Sequence, residues 1–248
     1  EGIQLLINFF KSGEVRHAVN MSSMDPKTLD SMRGYLDAAH RLGMFLSQWH
    51  EGVVERCSLQ YRGEVAELDT SRLTSAFCAG LLQRALEENV NIVNAELLLR
   101  ERGIELTERR SPDRGAFRSS IYAEVGGAGR SARAGATLFG NKMPRLIMLD
   151  DHRMEAYLDG RLLVFTHTDM PGIIGRVGTI FGQYQVNIAQ MSVGRDRHQP
   201  GGDAIGVLNL DSIPPVEALN ELQTVPSLTR VRIIEMPAGG VLPSWLMS

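Results

Sequence analysis

The segment HTDMPG at residues 167–172 combines residue types that could bind a small charged molecule. It follows an apolar run at 162–165, and the apolar residues after it recur at helical spacing: Ile173, Ile174, Val177, Ile180 and Phe181. This pattern predicts a helix N-terminus, whose unpaired N–H groups and positive dipole end favour an anion. Asp169 beside it can hold a cation. The two features together suit a zwitterion that carries both a carboxylate and an ammonium group.

The elements around this segment complete a small unit. Residues 187–195 and 203–210 alternate like strands, residues 215–225 predict a short helix, and residues 228–236 predict a final strand. The order βαββαβ is that of the ferredoxin-like unit. Asn187 begins the second of these strands, and we expect the first helix to return the chain and place its amide near the 167–172 loop.

The residues before this unit predict a larger α+β domain. An apolar helix at 1–15 leads through an extended passage at 16–21 to a second helix, with Asp25 as N-cap and Pro26 at its first position, that ends near Trp49. Gly34 and Gly43 are expected weak points in that helix. A strand at 54–64 and helices at 71–87 and 95–102 follow, and then strands at 104–110, 119–125, 132–140, 144–151 and 154–158. Their short connections predict an antiparallel sheet with helices on one face.

Composition limits the classes of partner. The 248 residues allow two domains, and 43% hydrophobic with 22% charged residues is ordinary for a soluble globular protein. A formal net charge of -3 provides no basic field for nucleic acid, and no apolar stretch approaches the roughly 20 residues that cross a bilayer. We therefore expect a cytoplasmic protein with neither nucleic acid nor membrane as a partner.

Cysteines, histidines and the C-terminal tail carry weaker signals. Cys57 and Cys78 offer no zinc spacing and no disulfide framework, so both are interpreted as buried small hydrophobes. Four histidines without obvious partners are expected at the surface or in local hydrogen bonds: His17, His40, His50 and His198. Four apolar tail residues either dock on a neighbouring molecule or belong to a frayed terminus: Leu242, Trp245, Leu246 and Met247.

Five blocks of this chain resemble the carboxyl-terminal regulatory half of long-form D-3-phosphoglycerate dehydrogenase: VRHAVN, YRGEVAELDTSRLTSAFCAGLL, VNIVNAELLLRERGI, GATLFGNKMPRLIMLDDHRMEAYLDG and THTDMPGIIGRVGTIFGQYQVNIAQMSVGR. The resemblance implies that residues 1–20 end a catalytic region and that residues 21–159 form an allosteric-substrate-binding (intervening) domain. Residues 160–236 would form an ACT domain and residues 237–248 a tail. The parent enzyme would oxidise 3-phosphoglycerate with NAD in the first committed step of serine synthesis.

The same resemblance implies an effector site. In that family L-serine is the feedback inhibitor and binds between the ACT domains of two subunits, so the chain is expected to form homo-oligomers. The matching side chains are His167, Asp169 and Asn187. Backbone groups of Pro171, Gly172 and Ile173 would hold the carboxylate. In the alternative interpretation, HTDMPG only starts a helix and binds nothing.

The resemblance also implies an anion site in the intervening domain, for phosphate or a phosphorylated substrate. Its candidate residues are Lys142, Arg145, His152 and Arg153, since guanidinium groups match phosphate oxygens and a turn can gather several cations. The alternative is a hairpin with solvated charges. The Arg-rich loop at 109–117 has the same two interpretations, surface loop or phosphate contact.

Catalytic machinery is not apparent in the sequence. The cluster GGAGR at 126–130 lacks the third glycine and the βαβ context of a dinucleotide fingerprint, and Asp150-Asp151 is explained by a turn at a strand end. We therefore expect no cofactor, no metal and no turnover in this chain alone, with NAD bound by the parent's upstream region. Two alternatives remain: the related domains of iron–sulfur L-serine dehydratase, which need more cysteines, and an oligomerisation module that pairs exposed sheet edges.

Overall fold

The computed structural model describes residues 26–86, 90–140, 142–196 and 201–246. Its helices are α1 (Pro26–Trp49), α2 (Thr70–Leu82), α3 (Ala95–Glu101), α4 (Ile173–Gln183) and α5 (Val216–Gln223). Its strands are β1 (Arg56–Gly63), β2 (Glu105–Ser111), β3 (Ser119–Gly127), β4 (Arg130–Phe139), β5 (Met143–Leu149), β6 (His152–Tyr157), β7 (Arg161–Thr168), β8 (Ile188–Arg195), β9 (Asp203–Leu210) and β10 (Leu228–Glu235). The elements expected at 1–21, the N-cap Asp25, His17, His198 and Met247 lie outside the described residues.

The first sheet has six strands in the order β2-β1-β3-β4-β5-β6. Neighbouring strands are antiparallel with one exception, since β1 and β2 run parallel from the pair Arg56 and Glu105 onwards. The prediction of a wholly antiparallel sheet is wrong at this pair. The chain between β1 and β2 passes through α2 and α3, and a helical crossover of this kind returns the next strand in the same direction.

Helices α1 and α2 cover one face of the first sheet and cross at two glycines. A Cβ added to Gly43 would lie 2.1 Å from the carbonyl oxygen of Phe77, and one added to Gly80 would lie 2.0 Å from that of His40. Only glycine permits this backbone approach. The interpretation of Gly43 as a weak point of α1 is therefore wrong, because its missing side chain is what lets the two helices meet.

The second sheet has four strands in the order β10-β7-β9-β8, with α4 and α5 on one face, which confirms the predicted α+β class and the ferredoxin-like unit. Leu163 and Phe165 of β7 face these helices, whereas Leu162 and Val164 join the core of the first sheet and its helices. The second sheet thus lies between its own helices and the first domain, and its two central strands, β7 and β9, are buried on both faces.

Arg41 of α1 joins the two sheets through a buried guanidinium that is 1% exposed. Its Nε donates to Asp37, 2.8 Å away, and Nη1 donates to the carbonyl of Leu158, between β6 and β7. The remaining N–H groups donate to carbonyls that follow β10, those of Pro237, Ala238 and Val241. All five donors of the side chain are therefore used.

Contacts at two further places also join the domains, among others. The open edge of β6 meets side chains on the face of β8: the backbone N–H of Tyr157 donates to Gln190 at 3.0 Å, and that of Glu155 donates to Ser192 at 3.2 Å. At the other side of the second sheet, the Arg230 guanidinium stacks 3.6 Å from the ring centroid of Trp49 and donates to its carbonyl.

The C-terminal tail packs on its own chain. Leu246 is 2% exposed, and Leu242 and Trp245 pack against the core of the first domain. The ring of Trp245 meets that of His40 edge to face at 5.5 Å. For the described residues, the expectation of a frayed tail or of docking on a neighbour is wrong, and so is a surface position for His40 and His50, which are both buried.

Three smaller predictions are confirmed. Cys57 and Cys78 are free and buried. The GGAGR cluster is the β3–β4 hairpin turn, with positive φ at Ala128 and Gly129. Asp150 lies in the turn after β5, where its carboxylate accepts hydrogen bonds from the N–H of Arg133 and the indole of Trp49.

Replacing Arg41 by methionine should destabilise the protein strongly. The variant leaves the Asp37 carboxylate without its cation and removes the Arg41 N–H donors from four carbonyls, of which those of Pro237 and Ala238 still accept a backbone N–H. Breaking a buried ion pair typically costs about 3 to 5 kcal/mol. Denaturant unfolding measures the loss, with Arg176→Met on the exposed side of α4 as the matched control, expected within about 0.5 kcal/mol of the parent. Equal stability of the two variants would contradict the role given to Arg41.

Acid should weaken the fold through His40. Burial lowers the pKa of His40 from 6.5 to about 4. Below pH 6.5 the unfolded chain therefore takes up a proton that the folded chain refuses, and stability falls until pH reaches about 4. This single group accounts for a loss on the order of 3 kcal/mol. We expect His40→Phe to show a shallower dependence of unfolding free energy on pH over this range, and identical slopes would exclude the effect.

Candidate ligand site at the β7–α4 loop

His167 ends the buried part of β7 beneath α4. It is 3% exposed, its ring lies 5.5 Å from the ring of Phe165, and its Nδ1 is 2.9 Å from the carbonyl of Thr168. The Phe165 ring covers Gly206 of β9, where an added Cβ would lie 2.2 Å from the ring. The Nε2 atom of His167 is buried without a hydrogen-bond partner in the described part of the chain. A ligand at this loop would find an unsatisfied polar atom.

Asp169 follows β7 and is held on two sides. Its backbone N–H donates to the carbonyl of Gly202 at 2.8 Å, which ties the loop to the start of β9. Its carboxylate pairs with the Nε of Arg195, at the end of β8, over 3.0 Å. The Asp169 side chain is 13% exposed and that of Arg195 66% exposed. An exposed cation thus covers a largely buried carboxylate, and an ammonium group could take its place.

Gly172 starts helix α4. Its φ of 92° is left-handed, it provides no capping side chain, and its carbonyl accepts the first intrahelical bond, from the N–H of Arg176. The N–H groups of Ile173, Ile174 and Gly175 precede that bond and have no intrahelical acceptor. Nothing lies within 4 Å of a Cβ built on Gly172. The helix N-terminus is therefore open on the side of the loop, as the sequence predicts.

Asn187 lies at the opposite end of the same sheet. Thr168 pairs with Asp203 at one end of β9, whereas Ile188 pairs with Leu210 at the other, seven residues or about 23 Å away. The Asn187 amide donates to the Asp211 carboxylate over 2.6 Å. The expectation that α4 returns Asn187 to the loop of its own chain is wrong, because β7 and β8 run in the same direction on either side of β9.

The residues predicted to form an anion site do not converge. Lys142 precedes β5, whereas His152 and Arg153 follow it, and a strand of this length separates its two ends by about 20 Å. His152 is buried, with Nε2 3.2 Å from the carbonyl of Asp203. Arg145 and the other three residues therefore form no single site within one chain.

Arg145 is used structurally. Its guanidinium lies 3.9 Å from the ring centroid of Tyr157 and 5.5 Å from that of Phe139, and the Glu155 carboxylate is 3.9 Å from its Nε. The side chain is 9% exposed. Aromatic rings and one carboxylate thus surround this cation. Arg153, by contrast, points into a cavity on the helix-free face of the first sheet, together with arginines of the 109–117 loop.

Sequence reasoning missed Arg195, whose guanidinium pairs with the Asp169 carboxylate. Its signal was its place at the end of the strand beside β9, the end at which the 167–172 loop leaves β7. Reading that signal requires the strand order and register, because Arg195 lies 26 residues after Asp169 in the chain. Within the described ranges, no helix combines the length and apolar character that a bilayer crossing needs.

Comparison with known proteins agrees with this two-part architecture. Residues 31–150 match the D-3-phosphoglycerate dehydrogenase intervening domain, and residues 161–227 match the ACT domain. D-3-phosphoglycerate dehydrogenase of Bacillus subtilis is 32% identical over 94% of this chain, and that of Archaeoglobus fulgidus is 30% identical over 93%. The protein of the same name from Synechocystis is 35% identical over 85% of the chain.

The chain belongs to the family in which a D-3-phosphoglycerate dehydrogenase intervening domain precedes an ACT domain, and it corresponds to the regulatory part of those enzymes. It spans about 44% of the length of the B. subtilis and A. fulgidus relatives and 38% of the Synechocystis relative.

Two glycines of this region should respond oppositely to alanine. Gly172→Ala places a Cβ at a φ of 92° and should destabilise the protein by about 1 kcal/mol. Gly178→Ala lies inside α4 with open space around it and should stabilise by up to about 1 kcal/mol. Thermal unfolding of both variants measures the difference. Changes of the same sign would contradict the left-handed helix start.

Proposed function

We propose that this chain binds L-serine at the β7–α4 loop and that binding regulates a D-3-phosphoglycerate dehydrogenase. The observation that carries the proposal is the placement of the Asp169 carboxylate three residues before the open N-terminus of α4. The carboxylate suits the α-ammonium group of an amino acid, and the free N–H groups suit its carboxylate. ACT domains generally bind amino acids, which is compatible with this effector.

Three further groups complete the proposed contacts. The backbone around Pro171, Gly172 and Ile173 would hold the ligand carboxylate. Because Nδ1 of His167 donates to the carbonyl of Thr168, the unpartnered Nε2 of the neutral ring would accept a hydrogen bond from the ligand ammonium group. Arg195 would leave Asp169 when the ammonium group arrives, since its side chain is exposed and its ion pair is solvated. The hydroxyl group of serine then remains for the amide of Asn187, which within one chain is too distant.

A second copy of the chain can supply that amide. Strand β8 is at the edge of the second sheet, and among the described residues its outer edge has no backbone partner. Antiparallel pairing of two β8 strands about a two-fold axis reverses one of them. Asn187 of one copy would then lie beside Arg195 and Asp169 of the other. Val193, 39% exposed on β8, would be covered in this pairing.

The activity of the parent enzyme belongs to the same proposal. We infer that the longer protein oxidises 3-phosphoglycerate with NAD in the cytoplasm, in the first committed step of serine synthesis, and that serine lowers this activity by changing subunit packing. The names of the relatives and the intervening-domain match favour this enzyme over L-serine dehydratase. A module that only oligomerises would pair β8 without binding an amino acid.

A mixture of two variants that each lack serine binding tests whether two chains share the site. Asp169→Ala and Asn187→Ala should each abolish L-serine binding measured by calorimetry, because each removes one ligand-binding side chain from both sites of a dimer. In a mixed dimer, however, one site takes its Asp169 and Asn187 from the two unaltered positions. We therefore expect the mixture to regain binding, at about one site per mixed dimer.

Asp169→Asn serves as the matched control, since it retains an oxygen acceptor without the charge, and circular dichroism should be unchanged in all variants. Continued absence of binding in a mixture shown by mass spectrometry to contain mixed dimers would contradict a site shared between chains. Full serine binding by Asp169→Ala would refute the site itself.

A further inference from the structure

A cavity of about 720 Å³ lies on the helix-free face of the six-stranded sheet. Five arginines and a single acidic residue, Glu124, are among the residues that line it. The arginines are Arg62, Arg109, Arg114, Arg133 and Arg153. Its volume is that of a small-molecule site. In a chain whose formal net charge is -3, this concentration of positive charge is local and not a property of the whole protein.

Three of these cations are without an ionic partner. Arg114 pairs with Glu64 at 3.1 Å and Arg133 pairs with Asp151, whereas Arg62, Arg109 and Arg153 form no ion pair within the described ranges. The Nε of Arg62 is buried and has no hydrogen-bond partner there. Buried N–H groups that lack an acceptor are costly, and an anion would supply one.

The strand register spreads the charges too widely for one small ion. Arg109 of β2, Gln60 of β1 and Tyr122 of β3 form one row across the sheet, which continues through Gly135 and Met148 to Arg153 of β6. Five strand spacings separate the two arginines of this row, about 24 Å along the sheet. A single phosphate ion cannot contact both, so the cavity fits an extended anion.

An aromatic ring occupies the middle of the row. A Cβ added to Gly135 would lie 2.6 Å from Cδ1 and 2.7 Å from Cε1 of Tyr122, so this edge of the ring packs against the glycine. Tyr122 is half-buried and lines the cavity, and Phe117 of the loop lies at the same cavity. Aromatic rings beside arginines on a sheet surface are suited to stacking a base while the cations hold phosphates.

We propose that this cavity binds a nucleoside polyphosphate, with the base on Tyr122 and the phosphates at Arg62, Arg109 and Arg114. The guanidinium of Arg62 lies 3.9 Å from a Cβ position built on Gly115, which brings the strand and the loop cations together at one end. Arginine presents paired N–H donors that match phosphate oxygens. This site is separate from the β7–α4 loop and extends the function beyond amino-acid binding.

Calorimetry of the full 248-residue chain with ATP, pyrophosphate and adenosine distinguishes base stacking on Tyr122 from phosphate binding by the arginines. ATP should bind at least about tenfold more tightly than pyrophosphate, because stacking contributes about 1–3 kcal/mol per base. Arg109→Gln should weaken both ATP and pyrophosphate by about tenfold, since each loses a charge-assisted hydrogen bond. Arg100→Gln, on α3 outside the cavity, is the matched control and should change neither.

Gly135→Ala tests the ring without removing it. The new methyl group displaces Tyr122, so ATP should bind about tenfold more weakly while pyrophosphate binds as before. Tyr122→Phe retains the ring and should retain ATP affinity. Equal affinity for ATP and pyrophosphate would overturn the stacking role. ATP binding unaffected by Arg109→Gln, or no ATP binding at millimolar concentration, would overturn the site.

Discussion

The buried guanidinium of Arg41 is the contact on which the arrangement of the two domains depends. It satisfies one carboxylate and four backbone carbonyls that belong to α1, to the segment between the sheets and to the chain after β10. The carbonyls of Pro237 and Ala238 also accept backbone N–H groups, whereas those of Leu158 and Val241 lie outside regular strands and helices and receive Arg41. A buried carbonyl without a donor is costly. One side chain therefore fixes where the second sheet begins, where it ends and how it meets the first.

That arrangement decides which surfaces remain available. The face of the second sheet opposite α4 and α5 is buried against the first domain, and side chains of β8 satisfy the edge of β6. The outer edge of β8 and the β7–α4 loop stay accessible at neighbouring places. The helix-free face of the first sheet keeps its arginines open to the cavity. Both candidate sites thus stay accessible because of the way in which the two domains pack.

The sequence pattern predicted the features that depend only on neighbouring residues. The helical spacing of Ile173, Val177 and Phe181, and the Pro-Gly before them, identified α4 and its open N-terminus, because a helix start depends on adjacent residues. Positions that depend on register were not predictable. The parallel pairing of β1 with β2, the distance of Asn187 from its own loop and the Asp169–Arg195 pair all follow from strand order. The position of the C-terminal tail was not predictable for the same reason, because its Trp245 and Val241 contact His40 and Arg41, which lie about 200 residues earlier in the chain.

The most direct test of the central claim is a crystal structure of the chain grown with L-serine. We expect electron density for serine between Asp169 of one chain and Asn187 of a second, with Arg195 withdrawn from the carboxylate and two β8 strands paired across a two-fold axis. Serine bound wholly within one chain, or two chains joined at β8 with an empty loop under saturating serine, would contradict it.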